Sequence, residues 1–265
     1  MTVAREGLLT KLGFRFGTNG PHAARTMMLD DLAMLFTHLP ENAQREDYSA
    51  EVIDRNCLGK PTRKARELAF RHMSILYGLD PALAVYKALR RLWASDPAAR
   101  PVLALSAALA RDPLLRSTQD FIRAKHPGEV VSRNDLEKVL ESNYPDRFSP
   151  ASLKSFAQNV NGTWTQAGYL VGRNRKTRRQ PEIKPANVAF NLFLGYLEGL
   201  SGQRLFSSVW ITLLGSEQGE LEGLASSASH RGLLVFMSSG GVKELRFPDY
   251  LSPEQESWRQ EASHV

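Results

Sequence analysis

Along most of this chain apolar residues recur at three- and four-residue intervals, the spacing of one helix face, and strand-like runs are confined to short stretches. Residues 1–25 carry Gly7, Gly13, Gly17, Gly20 and Pro21 and read as an irregular arm, with Lys11, Arg15 and Arg25 set against Glu6. From Met28 the helical period takes over: Met28, Leu32, Leu35, Phe36 and Leu39 share a face that ends at Pro40. Ser49 is placed to cap a short helix through Val52, Ile53 and Cys57. Thr62 is placed to cap the next one, which carries Ala65, Leu68, Ala69 and Leu76 and stops at Gly78. Asp80-Pro81, Asp96-Pro97 and Asp112-Pro113 recur every 16 residues, and each reads as the start of a helix of three to four turns. Because these helices share little beyond their caps, residues 26–130 are expected to form a compact bundle rather than a solenoid.

Residues 131–184 change character. Ser132 and Asp135 form a capping box, and Leu136, Val139 and Leu140 give that helix its apolar side. Ser149-Pro150 opens a longer helix, Ala167 to Arg173 shifts to a short strand, and a basic run follows. Helix, turn, helix, strand and basic loop is the order of a winged helix-turn-helix. Residues 185–265 repeat that order as a second winged-helix-like module with a tail: helices over 188–200, 205–214 and 216–230, then two strands joined through Gly240-Gly241. The predicted fold class is therefore mainly α, a helical bundle followed by winged-helix-like units with short β-hairpins.

Charge sharpens this picture more than bulk composition does. The 265 residues are 42% hydrophobic and 23% charged, enough to bury a real core, and the net charge is only +6. From Arg147 to Pro181, however, there is no Asp or Glu, while Arg147, Lys154, Arg173, Arg175, Lys176, Arg178 and Arg179 all fall inside. In the helix that opens this window, Leu153, Phe156, Ala157, Val160, Trp164 and Ala167 form a buried face. Ser152, Ser155, Gln158, Asn159, Thr163 and Gln166 form the other, with Lys154 at its border. Amides and hydroxyls without carboxylates suit a helix in a DNA major groove, with Gln158, Asn159 and Thr163 near the bases. The arginines and lysine that follow, at the position of a wing, would hold phosphates or enter a minor groove. A second basic segment places Lys60, Arg63 and Lys64 at a helix N-terminus, where they oppose the helix dipole unless an anion offsets them. The second module carries Glu217, Glu220 and Glu222 on its third helix, which would repel phosphate, so it reads as structural or protein-binding.

Signals of catalysis are weak. The six histidines show no metal-ligand spacing, the single cysteine, Cys57, permits no internal disulfide, and no phosphate-cradling or nucleophile-elbow motif occurs. Asp30-Asp31 and Glu137-Lys138 could be imagined in a metal nuclease but read better as helix surface. Trp93, Trp164, Trp210 and Phe36 fall on apolar faces, as core residues do. No enzyme, metal or cofactor is expected. With no apolar leader at the N-terminus, and the longest apolar stretch, 101–110, about half a membrane span, a soluble cytoplasmic protein with no membrane partner is expected.

Val52-Ile-Asp-Arg-Asn-Cys-Leu-Gly-Lys-Pro-Thr-Arg-Lys-Ala-Arg, together with Ser149-Pro-Ala-Ser-Leu-Lys-Ser-Phe-Ala-Gln-Asn-Val and Ala167-Gly-Tyr-Leu, resembles the BrxA family of BREX bacteriophage-defence systems. The resemblance covers 28–171. It implies a helical part similar to the antitermination factor NusB, DNA binding through Thr62 to Arg66 and Lys154 to Arg179, and other defence-system proteins as partners. It carries no catalytic residues. The expected function is non-enzymatic binding of double-stranded DNA. RNA binding, a scaffold that binds only proteins, and a dimeric repressor are the alternatives.

Overall fold

The computed structural model describes residues 2–264. It is mainly helical, with two short antiparallel hairpins, in agreement with the period of the apolar positions. The first half holds α1 (Val3–Leu12), α2 (Leu29–His38), α3 (Arg45–Ser49), α4 (Arg63–Tyr77), α5 (Ala84–Trp93), α6 (Arg100–Arg111), α7 (Pro113–Arg116) and α8 (Gln119–Ala124). Then come α9 (Arg133–Asn143), α10 (Pro150–Gln166), β1 (Leu170–Val171) and β2 (Thr177–Arg178). The remainder is α11 (Pro185–Leu197), α12 (Gln203–Phe206), α13 (Val209–Leu213), α14 (Gln218–His230), β3 (Val235–Ser239), β4 (Val242–Arg246) and α15 (Pro253–His264).

The apolar stretch 101–110 becomes the centre of the molecule. Residues 102–111 of α6 are all buried, as expected of a helix that is apolar all round. Against α6 pack α4, α5 and α11, and α11 is itself buried except at Tyr196. Two polar contacts fix the register of this pair: Asn191 Nδ2 donates to Ser106 Oγ at 3.1 Å, and Asn187 Nδ2 donates to the Ala99 carbonyl at 2.8 Å. Such contacts specify one packing among several that apolar surfaces alone would allow. One buried apolar cluster runs from Leu9 to Ala262, so the bundle, the basic unit and the C-terminal module share a core. Among the described residues no helix is long and apolar enough to cross a membrane.

Several local expectations need correction. The N-terminal arm is not irregular throughout. Thr2 Oγ1 accepts from Arg5 N, Gly13 closes α1 in the left-handed region, and Leu9, Leu12 and Phe14 are buried as α1 packs along α15. Three leucines at helix spacing outweigh one interior Gly7, which costs only about 1 kcal/mol. What the patterning left as a tail is α15, which brings the two ends of the chain together. Ser49 caps nothing: α3 begins earlier, where Asp47 accepts from Gln44 N at 2.8 Å, and runs on into a π-helical turn over Ala50–Asp54. Of the Asp-Pro pairs, Asp96 and Asp112 do cap helical turns, but α7 has only four residues. Asp80 instead closes a turn onto Ala82 N, the local alternative that an Asp side chain offers the backbone, and α5 starts only at Ala84.

The helix-turn-helix-hairpin order of the basic unit is present, with one addition. Strand β2 pairs with β1 on one side and with residues 128–131 on the other, where Val131 N donates to the Lys176 carbonyl at 3.0 Å and Arg178 N to the Glu129 carbonyl at 2.8 Å. The wing, residues 172–176, is thus held by three backbone segments ahead of and behind α9 and α10. Gly172 permits its tight turn: it has φ of +113°, and a side chain there would overlap the Arg175 carbonyl.

Candidate nucleic-acid interface

The long helix α10 begins where Ser149 Oγ accepts from Ser152 N, with Pro150 in the first turn. Its predicted apolar face is buried apart from the half-buried Phe156, and Trp164 is fastened there by its indole N–H to Thr118 Oγ1 at 3.0 Å. Lys154, Ser155, Gln158 and Gln166 are exposed on the opposite side, as the helical wheel requires.

The predicted polar face is nonetheless narrower than its sequence suggests, because residues 20–28 cross α10 and cover one flank. Thr163 is fully buried. Its Oγ1 accepts from Met27 N at 2.8 Å and lies 2.7 Å from His22 Nε2, while His22 Nδ1 and backbone N reach Asp112 Oδ2 at 2.8 and 2.9 Å. Asn159 Nδ2 donates to the His22 carbonyl at 3.0 Å and is half-buried. Thr163 and Asn159 therefore brace the N-terminal crossing and do not face a groove. Hydroxyl, imidazole and carboxylate in sequence resemble a catalytic relay, but His22, Asp112 and Thr163 are all 0% exposed, so no substrate reaches the Thr163 oxygen. Burial opposes the charge on Asp112, yet the His22 ring and the backbone N–H donors of His22 and Leu115 together hold its carboxyl below the usual carboxylate range. Gly20 is required by close approach here, since a Cβ would overlap the Asp112 carboxylate.

The basic run of the wing and the residues after it, 173–179, divides in two. Arg173, Arg175 and Arg179 are exposed and, among the described residues, make no ion pair. Arg178 is 6% exposed, donates to the carbonyls of Ile122 and Arg179, and lies over the Tyr169 ring at 5.0 Å. It is a structural pin, buried because alternation in β2 turns it inward, and is withdrawn from the set of phosphate contacts. Lys176 is intermediate: its Nζ donates to Thr165 Oγ1 at 2.6 Å, and burial lowers its pKa. Between α10 and the wing lies a cleft of about 440 Å³, lined by Gln158, Asn161, Arg173 and Lys176, with Ser132 and Arg133 at the start of α9. No Asp or Glu lines it.

No family model and no curated protein matches this chain.

The second basic segment is not joined to this cleft. Lys60 pairs with Asp31 at 2.9 Å, and Arg63 pairs with Glu67 at 3.1 Å and Asp54 at 3.4 Å, so the anions that offset the α4 dipole are the protein's own carboxylates. Among the described residues, Lys64 alone of the three is exposed without an ion pair. Lys60 lines a different cleft, of about 400 Å³, together with Arg25, Asp30, Asp31 and Gln166.

Asn161, absent from the residues that sequence reasoning selected, is the notable member of the wing cleft. It stands three positions after Gln158 and seven after Lys154, so the helical spacing that picked out those two also reaches it. In the C-terminal module, Glu222 Oε1 is taken up by Lys243 Nζ and accepts from Gln218 Nε2 at 2.8 Å, so that carboxylate secures the hairpin to α14.

Proposed function

We propose that this chain binds nucleic acid without catalysing a reaction on it, docking duplex DNA against the exposed strip of α10 and the adjoining wing. One observation carries the reading: Lys154, Ser155, Gln158, Arg173, Arg175 and Arg179 are exposed in a sequence window without a carboxylate, and among the described residues none is ion-paired. Cations that the protein leaves unneutralised, beside amides and hydroxyls, are what a phosphate backbone and base edges require. The strip is narrower than a full helix face, with Asn159 and Thr163 occupied elsewhere. Direct base contact therefore falls to Gln158 and its neighbours, and most of the affinity falls to phosphates. The resemblance to the BrxA family sets this activity within a BREX-type bacteriophage-defence assembly.

The test is fluorescence anisotropy across a salt series with a labelled ~30-bp duplex, the matching single strand and an RNA of the same sequence. Wild type is compared with a variant carrying Arg173→Ala, Arg175→Ala and Arg179→Ala. The variant is expected to keep its thermal stability and to flatten the slope of log K against log salt on duplex by roughly 2–3 units. Absence of salt-dependent binding to all three ligands refutes the proposal and favours a scaffold that binds only proteins. A preference for RNA moves the ligand class while leaving the site in place.

A further inference from the structure

Asn161 has an amide oxygen that the protein does not use. The residue is 7% exposed, and its Oδ1 is buried without a hydrogen-bond partner among the described residues. An unpaired buried amide oxygen is costly, and native proteins rarely keep one without a purpose. It lines the cleft between α10 and the wing, into which Ser132 and Arg133 also bring the first residues of α9. The α9 N-terminus is already closed by its own Asp135 carboxylate, which accepts from Ser132 N at 2.9 Å, so the attraction for an anion comes from Arg173, Arg175 and Lys176, which stand across the same space.

The shape matters as much as the charge. A volume of about 440 Å³ lies in the range of small-ligand sites, roughly 300–1,000 Å³, and is far larger than a phosphate alone would need. The wall of a regular duplex is convex and cannot fill such a recess. A nucleotide that leaves the stack can, because it brings a phosphate for the cations and a base edge offering donor and acceptor to one carboxamide.

Resting on the duplex-docking reading, we infer that this cleft receives a single unstacked nucleotide, its phosphate held by the cations of the wing and its base edge by Asn161 with Gln158. The protein would then prefer duplexes that carry a displaced nucleotide. Free mononucleotides present the same chemistry, and the test separates the two sources.

Anisotropy is measured on a blunt duplex and on the same duplex with one bulged nucleotide, using wild type, Asn161→Leu and Asn161→Asp, with the four 5′-deoxynucleoside monophosphates in a parallel thermal-shift series. Wild type is expected to bind the bulged duplex at least about fivefold more tightly, the lower bound for a good base-edge contact. Asn161→Leu is expected to abolish that preference while leaving blunt-duplex affinity and its salt slope unchanged, and Asn161→Asp to weaken the bulged complex further by repelling phosphate. Because the amide oxygen has no partner among the described residues, Asn161→Leu should not lower the melting temperature, whereas a structural role for Asn161 would. No preference in wild type, or a preference that survives Asn161→Leu, overturns the inference and leaves duplex docking standing. If neither duplex binds, the docking proposal fails and the mononucleotide series decides. Stabilisation by a monophosphate that is lost in Asn161→Leu assigns the cleft to free nucleotides, and its absence overturns the assignment.

Discussion

Asp96 and Asp112 stand before proline in the same local motif and both cap a helical turn, so they form a natural pair for measuring what the buried brace contributes. Asp96 Oδ1 accepts from Ala98 N near the surface, and its replacement by alanine should cost about 1 kcal/mol, the usual value of an N-cap. Asp112 performs the same capping through Oδ1, accepting from Leu114 N and Leu115 N at 2.9 and 3.2 Å, but its Oδ2 also takes the backbone and ring N–H of His22. Asp112→Ala strands both of those buried donors, each at about 1–3 kcal/mol, so the total should reach roughly 3–5 kcal/mol. In a chain of this length that lowers the melting temperature by roughly 6–12 °C, against about 2–3 °C for Asp96→Ala. The pH dependence follows from the depressed carboxyl. The Asp112 contribution is fully present above the ordinary carboxylate pKa near 4 and is lost as pH falls through the lower folded value, so Asp112→Ala should flatten the acid limb of the stability profile. Urea unfolding at pH 7 and pH 3, with hydrogen exchange at the Met27 amide, checks all three points. Agreement of the two alanine variants within about 1 kcal/mol, with Met27 exchange unchanged, would show that the buried brace contributes nothing beyond the cap.

Three further outcomes follow from the same contacts. Arg178→Ala should destabilise by about 2–3 kcal/mol in urea unfolding, because it removes buried charge-assisted bonds to the Ile122 and Arg179 carbonyls; unchanged stability with lost DNA affinity would return it to the phosphate contacts. Gly20→Ala should destabilise although its φ of −147° suits any residue, since the added methyl overlaps Asp112; pairing it with Asp112→Ala should give less than the additive loss in a double-mutant cycle. Burial, with Glu51 and Asp31 nearby, pushes the Cys57 thiol up to about 11, so iodoacetamide at pH 8 should react on the order of a hundredfold more slowly than with a free thiol, and reaction at the free-thiol rate would contradict that environment.

Much of the architecture was legible because it depends on neighbours in sequence. The period of Leu153, Phe156, Ala157, Val160 and Trp164, the caps at Thr62, Ser132 and Ser149, and the Gly-Gly hairpin are set within a turn or two of the residues that specify them, and each is observed. The carboxylate-free window that nominated the wing is likewise a linear property, and Arg147, Arg173, Arg175 and Arg179 in it are exposed. Other features were decided only by tertiary contacts. A helical wheel assigns Thr163 to the polar face, but it cannot register that residues 20–28 arrive from 140 positions earlier to cover that flank. Alternation in a two-residue strand cannot tell which arginine turns inward, so Arg178 and Arg179 look alike until β2 is seated over Tyr169. Whether the cations before α4 await an external anion depends on Asp31, Asp54 and Glu67, which the fold brings alongside them. Asn161 reads as one more polar residue on a helix; only the tertiary packing around α10 buries its amide oxygen and leaves it without a partner among the described residues. Local periodicity, caps and charge runs follow from short-range sterics and composition, whereas the availability of a polar group depends on desolvation and on partners that arrive from distant parts of the chain.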